Sequence, residues 1–326
     1  MPNNKVKVAL VDDSPIALFM LKQIIAKDDR LEVVWEAKSA EEALNKLNSH
    51  RPDVLCSDYH MPGMNGIELI KKIMVDNPLP TMLVSVSVQQ DERANIFKAL
   101  EAGAVDIFPK PRGHADFSAY DEKALCDRIY LISKVRVIRK HQYQQENINA
   151  TSKVSETSTV IGHDQIITLG GSTGAPSVFF EVLSSLPATF PVPIVCVQHI
   201  GKGFVHSFVE WLNSGCALHI KVAEHGESIT PGCVYFAPDD CQFGIKNGKV
   251  FIDYSDPAKL SHKPSIDYLF NSLGDFSNGV AVLLSGMGGD GAQGMLALRK
   301  KGFHTIGQSE SSSIIYGIPR VARELG

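Results

Sequence analysis

The sequence predicts two α/β domains in one chain, each built around a parallel sheet with helices on both faces. Short strand-like segments alternate with segments of helical periodicity through the first third of the chain, and the same alternation resumes near Gln165. A polar stretch at 141–159, rich in Gln, Asn, Ser and Thr, separates the two patterns. Such alternation favours parallel sheets with covered faces. We therefore predict domains at 1–125 and 165–326, joined by a helical and polar linker at 126–164.

In the first domain, five strand-like segments are separated by helical patterns. Lys5–Val11 is the first predicted strand, and Pro15–Ala26 has apolar residues at helical spacing. The other predicted strands are 31–35, 54–57, 81–86 and 105–108. The helices between them are predicted at 40–47, 67–75 and 92–101, and a further helical pattern covers 121–139.

The second domain begins with a strand at Ile166–Gly170 and a glycine-rich turn. Asn247-Gly248 lies between two short strand patterns and is a strong signal for a two-residue hairpin, so we predict a hairpin insertion. Pro264 is predicted to start a helix through Leu273. The remaining strands are predicted at 194–198, 219–223, 234–237, 279–284 and 304–307, with helices at 177–186, 204–212, up to 301, and from 319.

Composition excludes several classes of protein. The 326 residues carry a net charge of −4, and no large basic field is present, so nucleic acid is not an expected partner. No apolar run approaches the roughly 20 residues of a membrane helix, so no membrane insertion is expected. The first ten residues do not resemble a signal peptide, and the six cysteines contain no C-x-x-C pair. We expect a cytoplasmic protein with reduced thiols.

Polar side chains follow four predicted strands of the first domain. Asp12 and Asp13 follow the first strand and Asp58 the third, while Ser85 ends the fourth and Lys110 follows the fifth. The carboxyl ends of parallel strands meet at one edge of an open sheet. Three carboxylates there would repel one another unless a hard cation joined them, and Mg²⁺ accepts such oxygen ligands. A carboxylate can also accept a phosphoryl group.

A second set of reactive side chains follows three strands of the second domain. Ser172 lies in a Gly-rich turn, His199 ends the next apolar strand, and Asp290 follows a third. Serine, histidine and aspartate are the nucleophile, base and orienting acid of serine hydrolases. The turn fits G-x-S-x-G, but an α/β-hydrolase has its acid before its histidine, and here the acid comes last. A nucleotide-binding turn is a minor alternative, because neither G-x-G-x-x-G nor the P-loop spacing is present.

The first domain resembles the response-regulator receiver family through V-D-D-S (11–14), S-D-Y-H-M-P-G-M-N-G (57–66), L-V-S (83–85) and P-K-P (109–111). The resemblance implies a flavodoxin-like sheet with Asp58 as the phosphorylated residue. It also implies that Asp12, Asp13 and Asp58 bind Mg²⁺, and that Ser85 and Lys110 bind the phosphoryl group. The position that often holds an aromatic switch residue in receivers is Ile107 here.

The second domain resembles the catalytic domain of chemotaxis protein-glutamate methylesterases of the CheB type. The matching stretches are G-G-S-T-G-A-P (170–176), V-Q-H (197–199), T-P-G-C-V-Y-F-A-P (230–238), H-K-P-S-I-D (262–267) and L-S-G-M-G-G-D-G-A-Q-G-M (284–295). The resemblance implies a three-layer α/β/α hydrolase with Ser172 as nucleophile, His199 as base and Asp290 as acid. Thr173 lies beside the nucleophile, and the Met287 N–H is implied to contribute to the oxyanion hole.

Two departures from the family pattern stand out. Ala175 replaces a frequent glycine, and Asp239 and Asp240 replace a glycine pair. Neither change removes a catalytic group, although the two carboxylates add negative charge near a possible substrate rim. The other histidines of this domain do not lie in a motif with other candidate catalytic residues. His262 in particular is expected to be a surface or structural residue, within a stretch that serves packing or substrate contact.

The resemblance implies a phosphorylation-activated esterase that demethylates glutamate methyl esters and deamidates glutamines on methyl-accepting chemoreceptors. A chemotaxis histidine kinase would be the phosphodonor, with Mg²⁺ needed in the receiver and no cofactor for the esterase reaction. The alternative from another class is a phosphorylation-switched protein that binds receptors or a kinase through an inactive hydrolase-like domain. A serine hydrolase of small esters is a further alternative, and no helix-turn-helix supports a transcription factor.

Overall fold

The computed structural model describes residues 5–86, 93–111, 119–135, 137, 165–255 and 262–326. Its parallel strands form a five-stranded sheet in the first part of the chain and a six-stranded sheet in the second. Both parallel-sheet domains that the sequence predicts are therefore present. The polar stretch at 141–159, predicted as a linker, lies outside the described residues.

The first sheet has the strand order β2-β1-β3-β4-β5, and every pair in it is parallel. This is the doubly wound order of the flavodoxin-like fold. The strands are β1 (Val6–Val11), β2 (Leu31–Ala37), β3 (Val54–Ser57), β4 (Thr81–Ser85) and β5 (Asp106–Pro109). The helices are α1 (Pro15–Ile25), α2 (Ala40–Ser49), α3 (Gly66–Asp76), α4 (Arg93–Ala102) and α5 (Ala119–Ile132).

Side chains at the helix starts explain where several of these helices begin. Ser14 accepts a hydrogen bond from the N–H of Ala17 at the start of α1, and Ser39 does the same for Glu42 at the start of α2. At α3, Asn65 and Glu68 form a reciprocal capping box. These side chains satisfy backbone N–H groups that have no partner within the helix.

Helix α5 extends beyond the predicted domain boundary at residue 125. Cys126, Ile129 and Ile132 are buried in the same cluster as β1, which places this turn of helix with the first sheet rather than with the linker. The helical pattern was predicted to run to 139, but the helix ends at Ile132. Val135 and Val137 still pack against the same cluster, but they lie beyond the end of the helix.

The second sheet has the order β13-β12-β6-β7-β9-β8, and all of its pairs are parallel. Its strands are β6 (Gln165–Gly171), β7 (Ile194–Gln198), β8 (His219–Val222), β9 (Cys233–Phe236), β12 (Asn278–Leu283) and β13 (His304–Gly307). The helices are α6 (Ala175–Ser184), α7 (Val205–Asn213), α8 (Ile266–Ser272), α9 (Ala292–Lys300) and α10 (Ile318–Leu325).

Successive residues of β7 pack on opposite faces of this sheet. Ile194 and Cys196 join a cluster with α6 and α7, whereas Val195 and Val197 join a cluster with α8 and α9. A strand buried on both faces needs apolar residues at every position, which explains its unbroken apolar run. The predicted three-layer arrangement is confirmed.

The predicted hairpin insertion is present as a separate antiparallel pair, β10 (Gln242–Lys246) and β11 (Lys249–Asp253). Asn247 and Gly248 both have positive φ, at 52° and 68°, as a type I′ turn requires. The predicted start of α8 at Pro264 was wrong by two residues. Ser265 accepts a hydrogen bond from the N–H of Tyr268 and caps the helix, so the first helical residue is Ile266.

The two domains pack against each other through α4 and α7. Phe97 of α4 is 1% exposed, and its ring stacks on Trp211 of α7 with centroids 5.6 Å apart. The Trp211 Nε1–H donates to Oε1 of Glu101 across the same interface at 2.7 Å. Ile107 of β5 belongs to the same continuous apolar cluster. One shared core therefore holds the receiver-like sheet against the second domain.

None of the helices in the described part of the chain is long and apolar enough to cross a membrane. All six cysteines are free thiols. Burial raises the pKa of the Cys56 thiol to about 12, so this residue is an apolar packing group at neutral pH.

Replacing Phe97 by alanine is expected to loosen the contact between the domains. The loss of a fully buried aromatic ring lowers the free energy of unfolding by about 3–5 kcal/mol. Because Phe97 packs on Trp211, part of this loss weakens the contact between the domains. Hydrogen exchange should become faster in both 93–102 and 205–213. Phe19 on α1 is 63% exposed, so Phe19→Ala is the matched control and should change neither segment. Faster exchange confined to α4 would contradict a shared core.

Candidate active site

Asp58 lies at the carboxyl edge of the first sheet, directly after β3. Its Oδ2 accepts a hydrogen bond from Nζ of Lys110 at 2.8 Å, and the same ammonium lies 2.7 Å from Oδ2 of Asp12. Asp12 and Asp58 are buried, whereas Asp13 is exposed. The lysine therefore bridges two buried carboxylates, as the convergence of strand ends predicted.

The chemistry of this cluster fits a hard divalent cation. One carboxylate oxygen from each of Asp12, Asp13 and Asp58 can be chosen so that all three lie within 4.8 Å of one another. Burial raises the pKa of Asp12 against the opposing hydrogen bonds from Lys110 and from the N–H of Ser14. Burial alone would lower the pKa of Lys110, but its hydrogen bonds to Asp12 and Asp58 raise it, so the ammonium stays charged. Oxygen-only donors of this kind suit Mg²⁺.

Ser85 ends β4 beside this cluster and is fully buried. Its backbone carbonyl accepts a hydrogen bond from the N–H of Lys110 at 2.7 Å, which fixes the lysine relative to the end of β4. The hydroxyl makes a long contact of 3.4 Å with the carbonyl of Val86. Its predicted role toward a phosphoryl group stays a prediction.

The turn after β6 brings Ser172 to the carboxyl edge of the second sheet. A side chain on Gly171 would meet Cβ of Ala175 at 2.4 Å, so the chain can fold back this tightly only with glycine there. Gly174 has a φ of 82°, which starts α6 in a conformation that side chains disfavour. The Ser172 N–H donates to the carbonyl of Ser285 at 3.0 Å and ties the turn to the loop after β12.

His199 and Asp290 form the second part of the candidate site. The His199 N–H donates to the carbonyl of Gly171 at 2.9 Å, which places the histidine on the strand end next to Ser172. Its Nε2 lies 2.9 Å from Oδ2 of Asp290. Both side chains are almost entirely buried, at 7% exposure each. The predicted base and acid are thus in contact.

Asp290 is held by more than its histidine partner. Its Oδ2 also accepts a hydrogen bond from the N–H of Ile266 at 2.7 Å, and its Oδ1 accepts from the Ser265 hydroxyl at 2.8 Å and the Asp267 N–H at 3.1 Å. Burial works to raise the pKa of the Asp290 carboxyl. The hydrogen bond and charge of His199 and the two backbone N–H groups outweigh it and hold that pKa well below its usual range.

These contacts decide which nitrogen of His199 can act as a base. An ionised carboxylate only accepts hydrogen bonds, so the nitrogen that faces Asp290, Nε2, carries the proton. Nδ1 is then the basic nitrogen. It is buried and has no hydrogen-bond partner among the described residues. Ser172, the predicted nucleophile, is itself 6% exposed on the neighbouring strand end.

His262 belongs to this site, although it was expected to be a surface or structural residue. Its ring is stacked on that of His199, with centroids 4.3 Å apart and planes 13° from parallel. Burial, and then the neighbouring His199, lower the pKa of His262 to about 4, so its ring is neutral at physiological pH. The H-K-P-S-I-D stretch was a usable signal, because its Ser265, Ile266 and Asp267 all bind Asp290.

Two backbone N–H groups beside the nucleophile are available to a substrate oxygen. Neither the N–H of Thr173 nor that of Met287 donates to any residue that the structure describes. Met287 lies in the loop whose Gly286 approaches Ser172 so closely that a side chain there would meet the serine Cβ at 2.6 Å. Free N–H groups near a nucleophile can stabilise an oxyanion.

The Thr173 hydroxyl is engaged by the other domain. It donates to Oδ2 of Asp106 on β5 at 3.0 Å, and Nη1 of Arg128 on α5 donates to the same oxygen at 2.8 Å. All three groups are largely buried. A charged pair of the first domain therefore lies directly over the residue that follows Ser172, which sequence reasoning did not predict.

The carboxylates that depart from the family pattern lie on the loop after β9. Asp239 accepts a hydrogen bond from the N–H of Gly203 at 2.8 Å, and Asp240 pairs with Lys202. Burial raises the pKa of Asp239. Both carboxylates thus bind the loop that follows His199, which partly neutralises the expected extra charge.

Comparison with family models assigns both domains. Residues 167–326 match the model described as CheB methylesterase, and residues 8–120 match the response regulator receiver domain. A solved structure of the Thermotoga maritima CheB methylesterase catalytic domain is 36% identical, covers 49% of this chain and 88% of its own, and superposes with a TM-score of 0.47.

Curated relatives match over nearly the full length. The protein-glutamate methylesterase/protein-glutamine glutaminase of Nitrosospira multiformis is 36% identical, over 98% of this chain and 92% of the relative. The protein of that name from Halalkalibacterium halodurans is 37% identical, over 98% and 93%. With a receiver domain, a CheB methylesterase domain and relatives matched over more than nine tenths of both chains, the chain belongs to the CheB family of protein-glutamate methylesterases/protein-glutamine glutaminases.

Proposed function

We propose that this protein hydrolyses glutamyl methyl esters, and deamidates glutamines, on methyl-accepting chemoreceptors, with Ser172 as the nucleophile. The observation that carries the proposal is the contact between His199 and the ionised Asp290 at the strand end beside Ser172. It leaves a buried, basic Nδ1 as the group that takes the serine proton. Such a base is what a serine hydroxyl needs to react at neutral pH.

In the acylation step, Oγ of Ser172 attacks the ester carbonyl carbon while Nδ1 of His199 takes the hydroxyl proton. The N–H groups of Thr173 and Met287 donate to the developing oxyanion. The tetrahedral intermediate then breaks its bond to the methoxy oxygen, which takes the proton from His199 and leaves as methanol. A glutamyl ester of Ser172 remains.

Hydrolysis of this acyl-enzyme repeats the same proton transfers with water. Nδ1 of His199 takes a proton from the attacking water and returns it to Oγ of Ser172, releasing the receptor glutamate. Glutamine follows the same route, with ammonia leaving in place of methanol. The steps need protein groups alone and call for no organic cofactor or metal.

Control of the reaction is proposed to come from phosphorylation of Asp58. A chemotaxis histidine kinase would supply the phosphoryl group, and Asp12, Asp13 and Asp58 would hold Mg²⁺, which neutralises charge during the transfer. Lys110 and Ser85 would bind the phosphoryl oxygens. Since Lys110 already pairs with both Asp12 and Asp58, a new phosphoryl group must draw this ammonium into different contacts.

Strand β5 connects that event to the esterase site. Lys110 directly follows its last residue, and Asp106, its first, binds Thr173. Pro109 also packs against Gly201, where a side chain would meet the proline Cδ at 2.3 Å. We infer that the unphosphorylated receiver covers the nucleophile and that phosphorylation weakens this packing. A receptor segment can reach Ser172 only if the covered edge of the second sheet opens. The site of action is proposed to be the cytoplasm.

Methanol release from methylated receptor membranes should disappear in Ser172→Ala, because the variant lacks the hydroxyl that attacks the ester. The intact protein should release methanol faster when acetyl phosphate and Mg²⁺ are added. Asp58→Asn is the matched control, which should keep basal release but lose the response. Phosphorylation of Asp58 without any release would favour the alternative of a receptor- or kinase-binding protein with an inactive domain.

Asp290→Asn should change how stability depends on pH. The pKa of Asp290 is lower in the folded protein than in the unfolded chain, where it is about 3.9. The ionised carboxyl therefore stabilises the fold above about pH 4, and this contribution is lost as the pH falls through the folded pKa. The difference in free energy of unfolding between wild type and variant should narrow below about pH 4.

Urea unfolding followed by Trp211 fluorescence measures this difference. A Trp35→Phe background is used so that only the catalytic domain reports. A difference that stays constant from pH 5 to pH 3 would contradict the prediction.

Asp106→Ala should raise methanol release in the absence of a phosphodonor. The substitution removes the hydrogen bond that the Thr173 hydroxyl donates to a charged carboxylate. A hydrogen bond to a charged group is worth about 1.5–3 kcal/mol, enough for roughly a tenfold shift toward the open arrangement. Glu36→Ala removes a partly exposed receiver carboxylate paired with Lys22 and serves as the control, with no expected change. Unchanged basal release in Asp106→Ala would show that this contact does not hold the site closed.

A further inference from the structure

A buried glutamine links the nucleophile to the base. Gln198 is the last residue of β7 and is 5% exposed. Its Nε2 donates one hydrogen bond to the carbonyl of Ser172 and a second to the carbonyl of His199, each at 2.9 Å. Both partners are carbonyl oxygens, which only accept, so the NH₂ end of the amide must face them.

This amide acts where the backbone pairing of the sheet stops. Gly171 and Gln198 are the last paired residues of β6 and β7, and the His199 N–H bonded to Gly171 is the final backbone link between the two strand ends. Ser172 and His199 come next on the two strands and have no direct backbone hydrogen bond to each other. The two hydrogen bonds of Gln198 take the place of that missing link.

Fold stability explains only part of the glutamine at this position, namely that its Nε2 is the one described donor to the His199 carbonyl. Its Oε1 is buried and has no hydrogen-bond partner among the described residues. A buried polar atom without a partner destabilises the fold. The Ser172 carbonyl already accepts a bond from the N–H of Ala175, so the amide is not needed to satisfy it. An apolar side chain of similar length would avoid the cost, but would not join the two loops.

We propose that Gln198 is a positioning residue for the esterase reaction, whose amide fixes the backbones of Ser172 and His199 relative to each other. The inference rests on the proposed function, in which these two residues exchange a proton. Acylation and deacylation both need Nδ1 of His199 within hydrogen-bond reach of a reacting oxygen. A displacement of about 1 Å can lower a rate roughly a hundredfold.

Gln242 shows how Gln198 differs from an ordinary buried amide. Its Nε2 donates to the carbonyl of His262 and its Oε1 accepts from the N–H of Ser265, so from β10 it holds the single turn between these two residues. Gln198 instead spans two strands and touches the backbone of two different reacting residues. A glutamine of the first kind shapes a loop, whereas one of the second kind sets a distance between catalytic groups.

The test uses the full-length protein activated with acetyl phosphate and Mg²⁺, and compares Gln198→Met with Gln198→Glu. Methionine keeps the length of the side chain but donates no hydrogen bond. Glutamate keeps the shape of the glutamine side chain but places an oxygen where Nε2 faces the two carbonyls. We expect kcat to fall tenfold to a hundredfold with KM within twofold, while the melting temperature of at least one variant stays close to that of the wild type.

The rate at which a fluorophosphonate labels Ser172 gives a second readout that needs no receptor. Labelling needs the Ser172–His199 pair but no docking of a receptor, and it should slow in parallel with kcat. Failure of the unsubstituted protein to release methanol while Ser172 is labelled normally would count against the proposed substrate. Slower labelling of the two variants would still support the positioning role in that case.

Thr168→Val is the matched control. Thr168 lies on β6, the strand that carries the nucleophile, and its hydroxyl is also buried without a partner among the described residues. It touches no reacting group, so kcat and labelling should stay at wild-type values. Variants of Gln198 that fold and keep kcat and labelling within twofold of wild type would overturn the inference, as would a rise in KM alone.

Discussion

The carboxylate of Asp290 is the group on which the arrangement of the esterase site depends. It accepts hydrogen bonds from His199, from the Ser265 hydroxyl and from two N–H groups at the start of α8. An isolated buried charge would cost several kcal/mol, and these four donors offset that cost. They also fix three separate loops to one another. Because the ionised carboxylate can only accept, the same contacts decide that Nδ1 of His199 is the basic nitrogen.

The receiver reaches this site through one strand and one helix. Asp106, at the start of β5, contacts Thr173, and Lys110, just past the end of β5, contacts Asp58. Helix α4 adds Phe97 and Glu101 to the shared interface with Trp211. Interfaces that include a packed core tend to switch between discrete arrangements rather than deform gradually. Ile107, in place of an aromatic switch residue, is part of this packed core, which ties it to the position of the receiver as a whole.

Local patterns in the chain predicted most of the elements, and their failures have identifiable causes. The hairpin at Asn247-Gly248 was predictable because a type I′ turn demands those residues. Helix α8 begins at Ile266 rather than Pro264 because Ser265 provides the cap. Helix α5 belongs to the first domain through Ile132, since burial against the first sheet, and not apolar spacing alone, decides how much of a helical pattern packs there.

The sequence by itself determined two parallel-sheet domains and placed Asp58, Ser172, His199 and Asp290 at strand ends, because strand ends of a parallel sheet converge whatever lies between them. Only the tertiary structure decided that His262 stacks on His199, that Gln198 joins the nucleophile and the base, and that Asp106 contacts Thr173. Apart from the bond between Gln198 and its neighbour His199, these contacts join residues that are distant along the chain. No local pattern encodes them, since they arise from how whole elements pack.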